Sequence, residues 1–180
     1  MNAAVRTRTL RGAVCGMVAA ATWALEQPLD KLLLDSSYDD VELLGKAVTR
    51  GNGWYPAGLA IHIGNGALFG AVYANVATYL PIPAMLRGPA VSMTEHLTLW
   101  PLGYLSDRLH PARKDLPTLH GNKRAFAQGV VRHLVFGVAL GELERRLNAT
   151  PETAPPPTSP NFSSNGHGSI ERAISGERSA

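Results

Sequence analysis

Apolar residues gather in four stretches separated by polar ones. The first covers residues 10–28 and is uncharged from Gly12 to Leu25. The second covers residues 57–80 and carries no formal charge. The third, residues 86–105, is interrupted by Glu95 and Pro101; the fourth, residues 124–147, is interrupted by Arg132. A helix of about 20 residues crosses the hydrocarbon core of a bilayer, within a range of about 17–25. The second stretch satisfies this alone, and the others become spans in its company. Pro28 and Pro81 mark the expected ends of the first two helices, since proline resists continuation of a helix. Between them, Ser36-Ser37-Tyr38-Asp39-Asp40 places capping hydroxyls and first-turn acids ahead of Val41, Leu43, Leu44, Ala47 and Val48. That pattern predicts a short amphipathic helix over residues 37–50, at the membrane surface or against the bundle. The expected fold is all-α: a four-helix transmembrane bundle over residues 1–148. Residues 149–180, rich in Pro, Ser and Thr, bury too little to offset their ordering entropy and are expected to be disordered.

Composition supports the membrane reading. Of 180 residues, 17 are Lys or Arg and 14 are Asp or Glu, so 17% are charged, against roughly 25% in soluble domains. From Gly51 to Ser106 only Arg87 and Glu95 are charged. The single cysteine, Cys15, excludes an internal disulfide framework and a thiolate metal site within one chain. The net charge of +3 forms no basic stripe and accompanies no nucleic-acid motif, so nucleic acid is not an expected partner. Arg6, Arg8 and Arg11 precede the first apolar run as in a signal peptide, and Ala19-Ala20-Ala21 could pose as a cleavage site. Because further apolar spans follow, a retained first helix is expected.

Glycine changes the picture more than charge does. Gly58, His62, Gly66 and Gly70 recur as Gly129, His133, Gly137 and Gly141, each set at four-residue spacing. Arg11-Gly12 and Met17 find a looser match in Arg87-Gly88 and Met93. The pattern reads as a duplicated helical hairpin, with chance similarity among glycine-rich helices as the alternative. Four-residue spacing puts each set on one helix face. Gly12-x-x-x-Gly16, Gly66-x-x-x-Gly70 and Gly137-x-x-x-Gly141 are small-xxx-small contacts that let helices approach closely.

The candidate chemistry lies in the few polar groups within the spans: Glu26, His62, Asn65, Glu95, His96, Arg132 and His133. Ionisable groups there cost roughly 2.5–3.5 kcal/mol each and should face the bundle interior in pairs. Glu95 and Arg132 are the expected ion pair. The cluster could relay protons or bind a small solute, or it could simply join helices. His62 and His133, at matched positions among glycines, could be the two axial ligands of a haem. No Glu-x-x-His or His-Glu-x-x-His occurs. Gly64-Asn65-Gly66 lacks the strand–helix alternation of a dinucleotide site, and no phosphate loop or nucleophile elbow is present. No enzymatic activity is therefore expected. Trp23, Trp54, Tyr55, Tyr79, Trp100 and Tyr104 fall near span ends, as an interfacial aromatic belt would. The N-terminal arginines favour cytoplasmic termini, although four spans then place the basic segment 107–124 outside.

Gly12–Leu29, ending Leu25-Glu26-Gln27-Pro28-Leu29, together with His62–Tyr73 and the Arg145-Arg146 ending, resembles YagU-type small bacterial inner-membrane proteins. The resemblance covers about Arg11–Leu147. It implies a multi-span inner-membrane protein without an established activity and supplies no catalytic residues. The leading expectation is a proton or small-solute transporter or sensor in the lipid bilayer. Oligomeric state is left open, self-association included. The alternatives are a bis-histidine haem electron carrier and a soluble helical bundle around an apolar ligand.

Overall fold

The computed structural model describes residues 2–148. The expected disordered tail, residues 149–180, lies outside them. The described residues form an all-helical unit with no strands. Six helices follow in order: α1 Ala3–Leu34, α2 Asp40–Val48, α3 Trp54–Val76, α4 Ala84–Leu99, α5 Gly103–Leu109 and α6 Lys123–Leu147. A 3₁₀ turn, Ala77–Tyr79, prolongs α3, and another, Trp100–Leu102, joins α4 to α5. The amphipathic helix expected over residues 37–50 is α2. Its N-cap is Asp39, whose carboxylate accepts the Glu42 amide N–H. Asn2 and Asn122 cap α1 and α6 in the same way.

Two expected boundaries are corrected. Pro28 does not end α1, which runs on to Leu34 and closes at Asp35 in a left-handed conformation, φ 46°. Proline removes one N–H from the ladder, and the turn beyond it is held instead by a buried ion pair at Asp30. The third stretch is not one helix: α4 stops at Leu99, ahead of Pro101, and the chain turns through 3₁₀ geometry into α5. By length and composition one helix among the described residues, Trp54–Tyr79, is apolar enough to cross a membrane. α1 and α6 are long enough but carry Glu26, Asp30 and Arg132 within their length.

The four long helices alternate in direction. α1 packs antiparallel on α3, α4 on α6, and α6 also on α1, whereas α3 and α4 barely touch. Glycine sets the first two contacts. A Cβ on Gly16 would overlap the Gly66 carbonyl oxygen, and one on Gly70 would overlap that of Gly12. In the second hairpin a Cβ on Gly88 would overlap the Gly137 carbonyl oxygen, with the Gly141 Cα at 3.0 Å. Both contacts are backbone against backbone, as small-xxx-small packing requires. Gly88 thus takes the place of Gly16. The sequence match with Gly12 is one helical turn out of step. Gly58 and Gly129 play other parts: Gly58 receives the backbone of α2 at Val41 and Gly45, and Gly129 receives the His96 ring.

Gly16→Val should lower thermal stability by about 3 kcal/mol or more, because the Gly66 backbone cannot retreat. Gly64 has open space around it, so Gly64→Ala should gain about 0.5–1 kcal/mol. Melting both variants under the same conditions checks the contrast; equal effects would refute the close-packing account.

Candidate functional site

Two polar groupings occupy the bundle interior. The first centres on Arg132 of α6, which has no exposed surface. Its Nε donates to Asp30 Oδ2, and its Nη2 to Asp30 Oδ1 at 2.8 Å and to the Tyr38 carbonyl at 3.1 Å. Its Nη1 donates to Asp40 Oδ2 at 2.5 Å. Gln128, one turn earlier on α6, donates to Asp30 Oδ1 at 2.6 Å and to the Tyr38 carbonyl at 3.1 Å. Asp40 also accepts the Tyr38 hydroxyl at 2.5 Å and the Trp23 indole N–H at 3.1 Å. Burial pushes the Tyr38 phenol well above its ordinary range, and Asp40 adds to this, so the hydroxyl stays a donor. Nearby, Lys31 pairs with the capping carboxylate Asp39. One guanidinium fork therefore binds α1, the α1–α2 loop, the start of α2 and α6.

The second grouping surrounds a cavity of about 350 Å³. His62 and Asn65 reach it from α3, Glu95 and His96 from α4, and His133 from α6, with Trp23 of α1, Tyr38, Asp40 of α2 and Ser106 of α5 adding to the polar lining. Phe69, Trp100 and Phe136 supply aromatic walls. His62 Nε2 lies 3.1 Å from the Ala20 carbonyl, so that nitrogen carries a hydrogen. His133 Nδ1 lies 2.7 Å from the Gly129 carbonyl, and its Nε2 lies 2.9 Å from Glu95 Oε2. The ring of His96 stands 4.5 Å from that of His133, and its buried Nε2 finds no hydrogen-bond partner among the described residues.

The expected polar cluster is thus divided by the fold. His62, Asn65, Glu95, His96 and His133 share the cavity. Arg132 faces α1 instead, and Glu26 is not part of the lining; its Oε2 is buried without a partner among the described residues. The expected Glu95–Arg132 pair is corrected: Glu95 pairs with His133, while Arg132 pairs with Asp30 and Asp40. Adjacent residues on a helix point about 100° apart, so Arg132 and His133 address different neighbours. Trp23 is likewise no belt residue, since it is buried with its indole against both His62 and His133.

A comparison with protein-family models, curated proteins and solved structures finds no match for the chain.

The residues at His62 and His133 do not fit a bis-histidine haem. The Trp23 ring packs edge-on against both, 5.3 Å from the His62 ring and 4.6 Å from the His133 ring. The Nε2 atoms are already engaged, by Ala20 and Glu95. Among the described residues no three His, Cys, Asp or Glu side chains converge as a metal site.

Sequence reading missed Asp30, Tyr38, Asp40 and Gln128. One signal was available: the buried stripe Gly12, Gly16, Ala19, Trp23, Gln27 continues at three- and four-residue spacing onto Asp30. Taking Pro28 as a helix end hid it. Asp40 was legible only as a first-turn acid, and its partner Arg132 lies far away in sequence.

Arg132→Met should destabilise the protein by about 3–5 kcal/mol by leaving Asp30 and Asp40 buried without their cation. Adding Asp30→Asn should restore part of that loss. Thermal melting of the single and double variants measures it, and strictly additive losses would disprove the coupling.

Proposed function

We propose that this chain is a four-span integral membrane protein that binds and moves or senses a small solute or protons through the cavity between α3 and α4. The observation that carries the reading is an inverted distribution of residues. Around a small apolar core of Trp23, Tyr73, Phe136 and Leu140, the interior is rich in small residues, Gly12, Gly16, Gly66, Gly70, Gly137, Gly141, Ala19, Ala20 and Ala74, and in the polar side chains of Asp30, Ser92, Gln128 and Arg132. Many more large apolar side chains point outward, among them Val14, Val18 and Leu25 of α1, Leu68 and Val72 of α3, Leu97 of α4, and Leu134 and Val138 of α6. A water-soluble bundle buries such residues. Lipid is the solvent in which they belong outside, with small residues and satisfied polar groups between helices.

Four alternating helices bring both ends of the described chain together, where Asn148 Nδ2 donates to the Arg8 carbonyl at 3.3 Å. That end also holds Arg6, Arg11, Arg87, Arg145 and Arg146, and we assign it to the cytoplasmic face. The basic segment 107–124 falls at the opposite end, where Asp35 pairs with Arg124. The YagU-type resemblance belongs to the same proposal, as does placement in a bacterial inner membrane. No enzymatic step is assigned to the cavity. Its histidines and Glu95 suit binding and proton exchange, and among the described residues Ser106, the hydroxyl of α5 in the lining, makes no hydrogen bond to a cavity histidine.

Membranes from expressing cells, washed with alkaline carbonate, should retain the protein until detergent is added. Release into plain buffer as a monodisperse species would overturn the membrane reading and favour a soluble bundle around an apolar ligand.

A further inference from the structure

The cavity lining contains two carboxylates, Asp40 and Glu95, and neither lysine nor arginine. Asp40 is fully engaged by Arg132, Tyr38 and Trp23. Glu95 has one partner, His133, and its side chain is 38% exposed. The rings of Trp23, Phe69, Trp100 and Phe136 line the same cavity. A carboxylate among aromatic faces favours a positive charge twice over, by direct attraction and by the negative face of each ring.

The hydrogen bonds of His133 add a second condition. A backbone carbonyl can only accept, so the contact with Gly129 requires a hydrogen on Nδ1. A neutral imidazole then presents a lone pair at Nε2, which would face a carboxylate oxygen at 2.9 Å. The contact is a hydrogen bond only when one further proton is shared by His133 and Glu95. The other titratable groups lining the cavity are His96 on α4, His62 on α3, and Tyr38 and Asp40 beside α2; Arg132 stands behind Asp40. None of them contacts the Glu95 carboxylate within hydrogen-bonding distance.

We infer that the cavity binds a small organic cation with an apolar or aromatic body, and that its positive charge replaces the proton shared by Glu95 and His133. This deepens the proposed function and rests on the same cavity. The exchange balances: one cation enters, one proton leaves to solvent, Glu95 remains a carboxylate and His133 a neutral imidazole with its hydrogen on Nδ1. The charge inside the bundle is unchanged, which matters where an added charge is costly.

Benzyltrimethylammonium is a suitable probe, with benzyl alcohol and phenylacetate as neutral and anionic counterparts. Trp23 and Trp100 line the cavity and report binding by fluorescence. In full-length protein held in detergent, benzyltrimethylammonium should change the emission saturably and release about one proton per molecule bound in weak buffer. Binding should tighten as pH rises, because fewer protons compete. Glu95→Gln should weaken it at least tenfold and abolish proton release, while Glu95→Asp keeps part of both. Should Glu95→Gln fail to fold, Phe69→Leu serves instead, weakening the cation severalfold while leaving benzyl alcohol unchanged. Equal affinity for all three probes, binding without proton release, or an unaltered Glu95→Gln would overturn the inference. The carbonate wash is read separately, so a soluble protein that bound the cation would refute the membrane reading alone.

Discussion

A guanidinium with no exposed surface is the constraint on which the rest of this bundle depends. Removing a charge from water is costly by several kcal/mol, so Arg132 is tolerated only with its hydrogen-bond donors met by fixed acceptors. Asp30, Asp40 and the Tyr38 carbonyl supply them, from one helix, one helix start and one loop. Those three must therefore be in place together. The requirement carries α1 past Pro28, fixes the turn into α2, and holds α6 against α1. It also orients His133, the next residue and about 100° further round α6, into the cavity.

Close helix contact comes from a different source. Glycine faces bring backbones together in both hairpins, so close van der Waals contact joins the helices there. The two hairpins use corresponding glycines in corresponding places, as a duplication would. They are not equal in surroundings. α1 packs on α6, but the α3 and α4 faces that would complete the symmetry stand apart. The cavity occupies that missing contact. An unfilled pairing between two of the helices thus leaves an open space, and the polar residues that would be a liability in a tight interface line it.

The chemistry follows from what surrounds each ionisable group. Asp40 and Glu95 border the same space, yet Asp40 is neutralised and saturated by three donors while Glu95 shares one contact with a histidine. Saturation makes the first structural. A single partner and an exposed edge leave the second free to make further contacts.

Most of the helices were legible in the sequence, though not the course of the chain at Pro28 and Pro101, because apolar runs and four-residue glycine spacing are local patterns that a helix turns directly into faces. The sequence also marked His62, Asn65, Glu95, His96 and His133, since polar groups inside apolar stretches stand out without any knowledge of partners. Partners were another matter. Glu95 with Arg132 was the natural pairing along the chain, but which side chains meet depends on the rotation of each helix against its neighbours. Pro28 looked like a stop because its local penalty is visible in sequence, whereas the buried ion pair that outweighs it joins residues from opposite ends of the chain. The tertiary structure alone decided that Asp30 and Asp40, two ordinary helix-end acids, hold the buried arginine, and that the shared cavity lies between two helices that never close.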